Sequence, residues 1–142
     1  MTVVYFDASA LVKLVVEEIG SEVATALWDA ADVVVTSRLA YPEVRAALAS
    51  AFRDGRLSAE DQPLATQDWE GYWSRLRIVE ATSVVASLAG DVAEQFALRG
   101  YDAVHLASVL VLDDPQVIVA AWDHRLRRSV RAARLRIAPS KL

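Results

Sequence analysis

The run Val3-Val4-Tyr5-Phe6 constrains this chain more than any other stretch: four apolar, β-forming residues that end abruptly in Asp7. An apolar run without polar alternation fits a strand buried on both faces, as in a parallel sheet covered by helices. Ala10, Leu11, Leu14 and Val15 follow at helical spacing, so the chain turns from strand to helix within about two residues. In open α/β sheets the carboxyl ends of the strands form the crevice in which ligands bind. Asp7 therefore falls at the rim of a core strand, on the edge where this architecture does chemistry. A helix cap is the simpler reading of one such aspartate. That reading weakens as further carboxylates arrive at comparable places.

The alternation continues along the chain. Residues 8–17 read as a helix, Gly20-Ser21 punctuates it, and a second helix covers about 21–30. Val33-Val34-Val35-Thr36 is a β-branched second strand. A long helix then runs to Arg53 and is closed by Asp54-Gly55, with Pro42 predicting an irregular first turn or a start near the proline. Ser58 and Asp61 resemble a capping box for a helix to about Ser74, which Pro63 pushes to a later start. Trp69, Tyr72 and Trp73 make an aromatic stripe on it, suited to core packing or to a partner or dimer face. Leu76 to Val79 is a third strand. Thr82 or Ser83 caps a helix through Leu98, with Gly100 as its stop. An apolar helix covers Ala103 to about Leu112, Val117 to Ala121 is a fourth strand, and a basic helix precedes a short last strand at 135–137. Strands alternating with helices give one domain over residues 1–142, an α/β sandwich around a mostly parallel sheet of four to five strands.

Composition narrows the function classes. With 54% apolar residues in 142, the chain can bury a substantial core. It has no cysteine, which excludes disulfides, zinc thiolate sites and thiol catalysis. No apolar run nears the roughly 18 residues of a membrane span. The start lacks the basic and apolar segments of a secretory leader, so a cytoplasmic protein is expected. Net charge is −4, yet seven of the fifteen basic residues follow Asp123 in nineteen positions without an acid. Such a tail suits phosphates or an acidic partner, or is a solvated helix face.

Three more carboxylates match Asp7. Asp123 repeats its setting, at the end of an apolar strand and the start of a helix. Asp102 opens the most apolar helix, where free N–H groups favour a carboxylate. Glu43 shares a helix line with Leu39 and Ala47, so it borders the apolar face, or reaches solvent from its edge. If the four converge, their repulsion must be relieved by protonation or by a cation. Hard oxygen donors select Mg²⁺ or Mn²⁺. An acidic cluster with such ions suits phosphodiester hydrolysis and needs neither a side-chain nucleophile nor a histidine base. His105, three residues after Asp102, reads as a hydrogen-bonded core histidine. His124 lies among arginines, where it would meet substrate or solvent. Ser9 is placed to orient Asp7 or a bound water.

These segments, Tyr5-Phe6-Asp7-Ala8-Ser9, Glu43-Val44-Arg45-Ala46-Ala47-Leu48, Tyr101-Asp102-Ala103-Val104-His105-Leu106-Ala107 and Trp122-Asp123-His124-Arg125-Leu126, resemble the PIN-domain ribonucleases. In particular they resemble the toxins of VapBC-type toxin–antitoxin pairs. The likeness spans the chain in order. It implies a PIN-like three-layer α/β/α fold and Mg²⁺- or Mn²⁺-dependent endoribonuclease activity. It assigns metal binding and catalysis to Asp7, Glu43, Asp102 and Asp123, with Ser9 in support. It also implies a homodimer and a small antitoxin partner. The chain departs from the family at Ala121, where members often carry Ser or Thr two residues before the last aspartate. Arg125, Arg127 and Arg128 on the basic helix are the expected contacts to the RNA backbone.

Two other classes fit parts of the pattern. A PIN-like scaffold that binds RNA or protein without cutting would act through the aromatic stripe or the basic tail. A phosphatase using a covalent phospho-aspartate would want a second aspartate where Ser9 stands.

Overall fold

The computed structural model, which describes residues 1–142, places β1 at Val3–Phe6, β2 at Val33–Ser37, β3 at Arg77–Val79, β4 at Ile118–Ala120 and β5 at Arg136–Ala138. All pairings are parallel, in the order β3-β2-β1-β4-β5. The central strand is β1, with Tyr5 opposite Val35 on one neighbour and Val119 on the other. Chain order runs outward one way through β2 and β3, then resumes on the other side at β4. The reversal makes the β1/β4 boundary a topological switch point. Asp7 and Asp123 follow those two strands, and the Asp7 N–H bonds the Ala120 carbonyl at 3.1 Å.

Seven helices cover the sheet: α1 (Ala8–Val15), α2 (Ser21–Ala30), α3 (Ala40–Arg53), α4 (Asp61–Trp73), α5 (Ser83–Phe96), α6 (Gly100–Leu110) and α7 (His124–Ala132). On one face Val4 and Phe6 pack with Leu11, Val44, Leu48 and Trp69 of α1, α3 and α4. On the other, Tyr5 packs with Val85, Leu106, Leu126 and Val130 of α5, α6 and α7. The two-residue period of a strand sends alternate side chains of β1 into opposite cores. That is why its sequence reads as an unbroken apolar run. The result is the expected α/β/α sandwich, with five strands.

Several local expectations change. Helix α3 starts at Ala40 and α4 at Asp61, each two residues before its proline. Both prolines lie in the first turn, where an N–H has no intrahelical acceptor to lose. Ser58 Oγ accepts from the Asp61 N–H at 3.0 Å. Gly100 does not stop α5. That helix ends at Phe96, closed by left-handed Ala97 and a Leu98 N–H to Ala93 carbonyl bond, and Gly100 opens α6. The aromatic stripe is core packing at Trp69, which is fully buried, while Tyr72 and Trp73 are half-buried against Trp28 and Tyr41. No helix is long and apolar enough to cross a membrane.

Candidate active site

Asp7 is both a cap and a buried acid. Its Oδ1 accepts the Ala10 N–H at 2.9 Å, closing the first turn of α1, and the Ser9 hydroxyl at 2.6 Å. Ser9 Oγ in turn accepts the Trp122 N–H at 2.8 Å, so one serine ties the β1 turn to the β4 turn. Both donors land on Oδ1, which leaves Oδ2 without one. Asp7 is 4% exposed, and burial pushes its pKa up from 3.8 to about 6. Nearby His105 and the Ser9 and Ala10 bonds oppose that rise; Glu43 adds to it.

Glu43 reaches the same edge from the first turn of α3. Its Oε1 pairs with His105 Nε2 at 2.6 Å, and His105 Nδ1 meets Tyr5 Oη at 2.7 Å. His105 is thus the hydrogen-bonded core histidine expected, with both ring nitrogens engaged. Burial disfavours its charge, but the hydrogen bond and charge of Glu43, helped by Asp7 and Asp102, win and raise its pKa. Burial pushes the Tyr5 hydroxyl well up, so it stays an O–H at neutral pH. The chain Tyr5–His105–Glu43 fixes where the Glu43 carboxylate stands.

Asp102 is the third residue of α6 and caps nothing. It is buried, and its Oδ2 accepts from Arg99 Nε at 2.8 Å. Arg99 Nη2 also donates to Asp123 Oδ2 at 3.1 Å, so one guanidinium joins two of the four acids. Its face lies over Tyr101, 4.6 Å from the ring centroid. Asp123 caps α7, its Oδ1 accepting the Arg125 and Leu126 N–H groups at 3.1 and 3.0 Å. Both Asp123 oxygens are therefore engaged, whereas Asp7 Oδ2, Asp102 Oδ1 and Glu43 Oε2 are not. Arg99 was not singled out in the sequence, although its i, i+3 spacing to Asp102 on a helix is a pairing signal.

All four acids stand at the carboxyl edge of the sheet, but no three Asp, Glu or His side chains are disposed as a closed ligand set. Arg99 pairs with Asp102 and Asp123, and His105 with Glu43. The donor chemistry still fits a hard divalent ion: three carboxylates with a free oxygen, no sulfur, and a buried His105 whose ring nitrogens are both engaged. Asp7 supports that fit, because it is a buried acid without a cation in direct contact. Such a group is relieved by a positive charge beside it.

The basic helix divides. Arg125 and Arg128 are exposed and make no side-chain hydrogen bond or ion pair. Arg127 does not share their surface, which corrects its expected RNA contact. It is 2% exposed, and its Nη1 and Nη2 donate to the Ala121 and Pro139 carbonyls at 2.7 and 2.6 Å. The 3.6-residue period turns position 127 inward with Leu126, while 125 and 128 face out. Arg127 also holds the backbone at Ala121, the position where the chain departs from the family pattern. His124 is exposed.

A buried aspartate stands at the switch point of a five-stranded parallel sheet, on the edge that also carries Glu43, Asp102 and Asp123, which is where open α/β sheets bind ligands. The sequence profile of the PIN domain matches residues 4–132, and the chain belongs to that family. Over 142 residues, all of this chain and 99% of the relative, it is 53% identical to Ribonuclease VapC45 of Mycobacterium tuberculosis. Among solved structures it is similar to FitAcB from Neisseria gonorrhoeae, with 16% identity, a TM-score of 0.70 and coverage of 98% of this chain and 99% of that one. It is also similar to a toxin–antitoxin complex from Klebsiella pneumoniae, with 17% identity, a TM-score of 0.61 and coverage of 84% and 86%. These two likenesses show the fold.

Proposed function

We propose that the chain is a Mg²⁺- or Mn²⁺-dependent endoribonuclease, the toxin of a toxin–antitoxin pair. The observation that carries the reading is Asp7, buried at the switch point with one free oxygen, while Glu43 and Asp102, each with a free oxygen of its own, act with it on the same His105. Membership of the PIN family and 53% identity to a protein named a ribonuclease support it.

Asp7 and Asp102 would hold the ion, and Glu43, with its one free oxygen, would position the attacking water. A bound divalent ion lowers the pKa of the attacking water and neutralises charge that develops on the phosphate. The chain's own groups do the rest. Ser9 orients Asp7, and His105 holds Glu43 where it takes a proton from the attacking water. Asp123 acts through Arg99 and the start of α7, since neither of its oxygens is free. In-line attack would break the bond from phosphorus to the 3′ oxygen, which takes a proton from solvent, leaving a 5′-phosphate and a 3′-hydroxyl. A small antitoxin protein and a second copy of the chain are its protein partners on this reading, and the cytoplasm is its compartment. The likeness to the toxin–antitoxin complex from Klebsiella pneumoniae supports the antitoxin.

The test is cleavage of a panel of structured RNAs with Mg²⁺, with Mn²⁺ and with chelator. Discrete products that need metal and vanish in Asp7→Asn and Asp102→Asn are expected. An unchanged cleavage pattern in chelator, or in both variants, would reject the proposal.

A further inference from the structure

The two arginines that face outward on the basic helix line a cleft of about 530 Å³. One wall is α7, contributing Arg125, Arg128 and Ala132. The other is the end of α5, contributing Phe96, Ala97 and Leu98. No acid lines it. Both walls begin at the acidic site: the first runs on from Asp123, the cap of α7, and the second leads directly into Arg99, which bonds Asp102 and Asp123. Arg99 follows Leu98 of the cleft wall in sequence, and its Nη1 makes no hydrogen bond within the protein.

The chemistry of these walls is mixed in a particular way. Arg125 and Arg128, three residues and so about 4.5 Å of helix rise apart, supply planar donors without competing acids. Phe96 and Leu98 supply an apolar side. An isolated anion site has no use for the apolar wall, and a purely apolar groove has no use for two unpaired arginines. A nucleotide uses both: phosphates meet arginine, and the base packs on a ring or an aliphatic surface.

We infer that the α5–α7 cleft seats the nucleotides flanking the cut in a single-stranded RNA, with Arg125 and Arg128 on their phosphates and Arg99 leading the strand to the carboxylates. The inference rests on the nuclease reading above and names where the substrate strand runs.

The experiment uses a fluorescent single-stranded RNA dodecamer of mixed sequence, with binding followed by anisotropy across salt concentrations. The protein carries Asp7→Asn throughout, so that the probe stays intact. Each phosphate contact to a single strand contributes about 0.7 to the slope of log affinity against log salt. Arg125→Gln with Arg128→Gln should lower the magnitude of that slope by about 1.4 and weaken binding about tenfold or more near 0.1 M salt. Ala132→Trp, which narrows the cleft without changing charge, should weaken binding several-fold and leave the slope near its starting value. Arg53→Gln with Arg77→Gln removes the same charge elsewhere and should do neither.

Equal losses in the two arginine pairs would reduce the effect to net charge and overturn the inference. So would an unchanged slope in the cleft pair, which would leave the cleft to an acidic segment of a protein partner. Cleavage by the protein with Asp7 intact separates the two layers of argument. Metal-dependent cutting together with an unchanged slope rejects the cleft alone. Absence of both cutting and binding rejects the nuclease reading and the cleft with it.

Discussion

Asp7 carries an energetic signature that can be measured without any RNA. Its folded pKa of about 6 lies above the ordinary 3.8, so the native state binds this proton more tightly than the unfolded chain. The group therefore costs nothing below about pH 4, and stability is lost as the pH rises through 6. By pH 8 the ionised carboxylate costs about 3 kcal/mol, since one pKa unit corresponds to about 1.4. In chelator at pH 8, Asp7→Asn should be more stable than the wild type by up to that amount, with the gap closing by pH 4. Urea denaturation at the two pH values checks it, and a less stable variant at pH 8 rejects the burial argument. Added Mg²⁺ should raise the wild-type melting temperature and leave Asp7→Asn where it was. The acids themselves were legible in the sequence, because each sits at a strand end or on the border of a helix face. Their partners were less so. Tyr5 and His105 are a hundred positions apart, and no local pattern announces that they meet. Arg99 lay open to a spacing argument at Asp102, but its second bond, to Asp123, needed the fold.

The connections between elements carry the site as much as the residues do. Gly20 opens α2 at φ +97, and a Cβ there would stand 2.8 Å from Trp122 Nε1. Lys13 braces the same turn, donating to the Ile19 carbonyl at 2.8 Å and lying over the Trp122 ring. Gly20→Ala should cost about 1–2 kcal/mol, because only glycine adopts that backbone freely. Thermal melts measure the cost. Because Trp122 donates to Ser9 beside Asp7, cleavage should fall as well; a variant that melts and cuts like the wild type would sink this account. Arg127 works from the opposite side of the same loop. Arg127→Met should lower stability by about 2–3 kcal/mol, since two carbonyls lose charged donors. The salt slope of RNA binding should not change, in contrast to the cleft arginines. Chemical denaturation beside an RNA titration separates the two effects. Element order and type were readable from apolar periodicity. Boundaries were readable only where a side chain commits itself, as Thr82 does in accepting the Val85 N–H. At Gly100 the sequence misleads, because Ala97 takes the left-handed position that glycine usually fills.

Two cores share one sheet, and the side chains of β1 alternate between them. All four tryptophans lie in the layer of α1 to α4 or packed against it, and none lies in the other. Tryptophan fluorescence thus reports one layer, while far-UV circular dichroism reports both. Leu106→Ala, in the layer without tryptophan, should cost about 2–5 kcal/mol and shift both transitions together, because β1 cannot leave one core and keep the other. Separated transitions would show that the layers unfold independently. The sandwich was legible as a class from alternating strands and helices. The order β3-β2-β1-β4-β5 was not, since it depends on which side of β1 the chain takes after α6. That all-parallel order also decides where anything attached to this molecule would go. Met1 enters β1 at the edge opposite the acids. Residues after β5 leave at the acidic edge, with the Ser140 carbonyl held by Arg131 of α7. A dye or tether at the first residue hangs free of the working edge, whereas the same group at the last one hangs beside it.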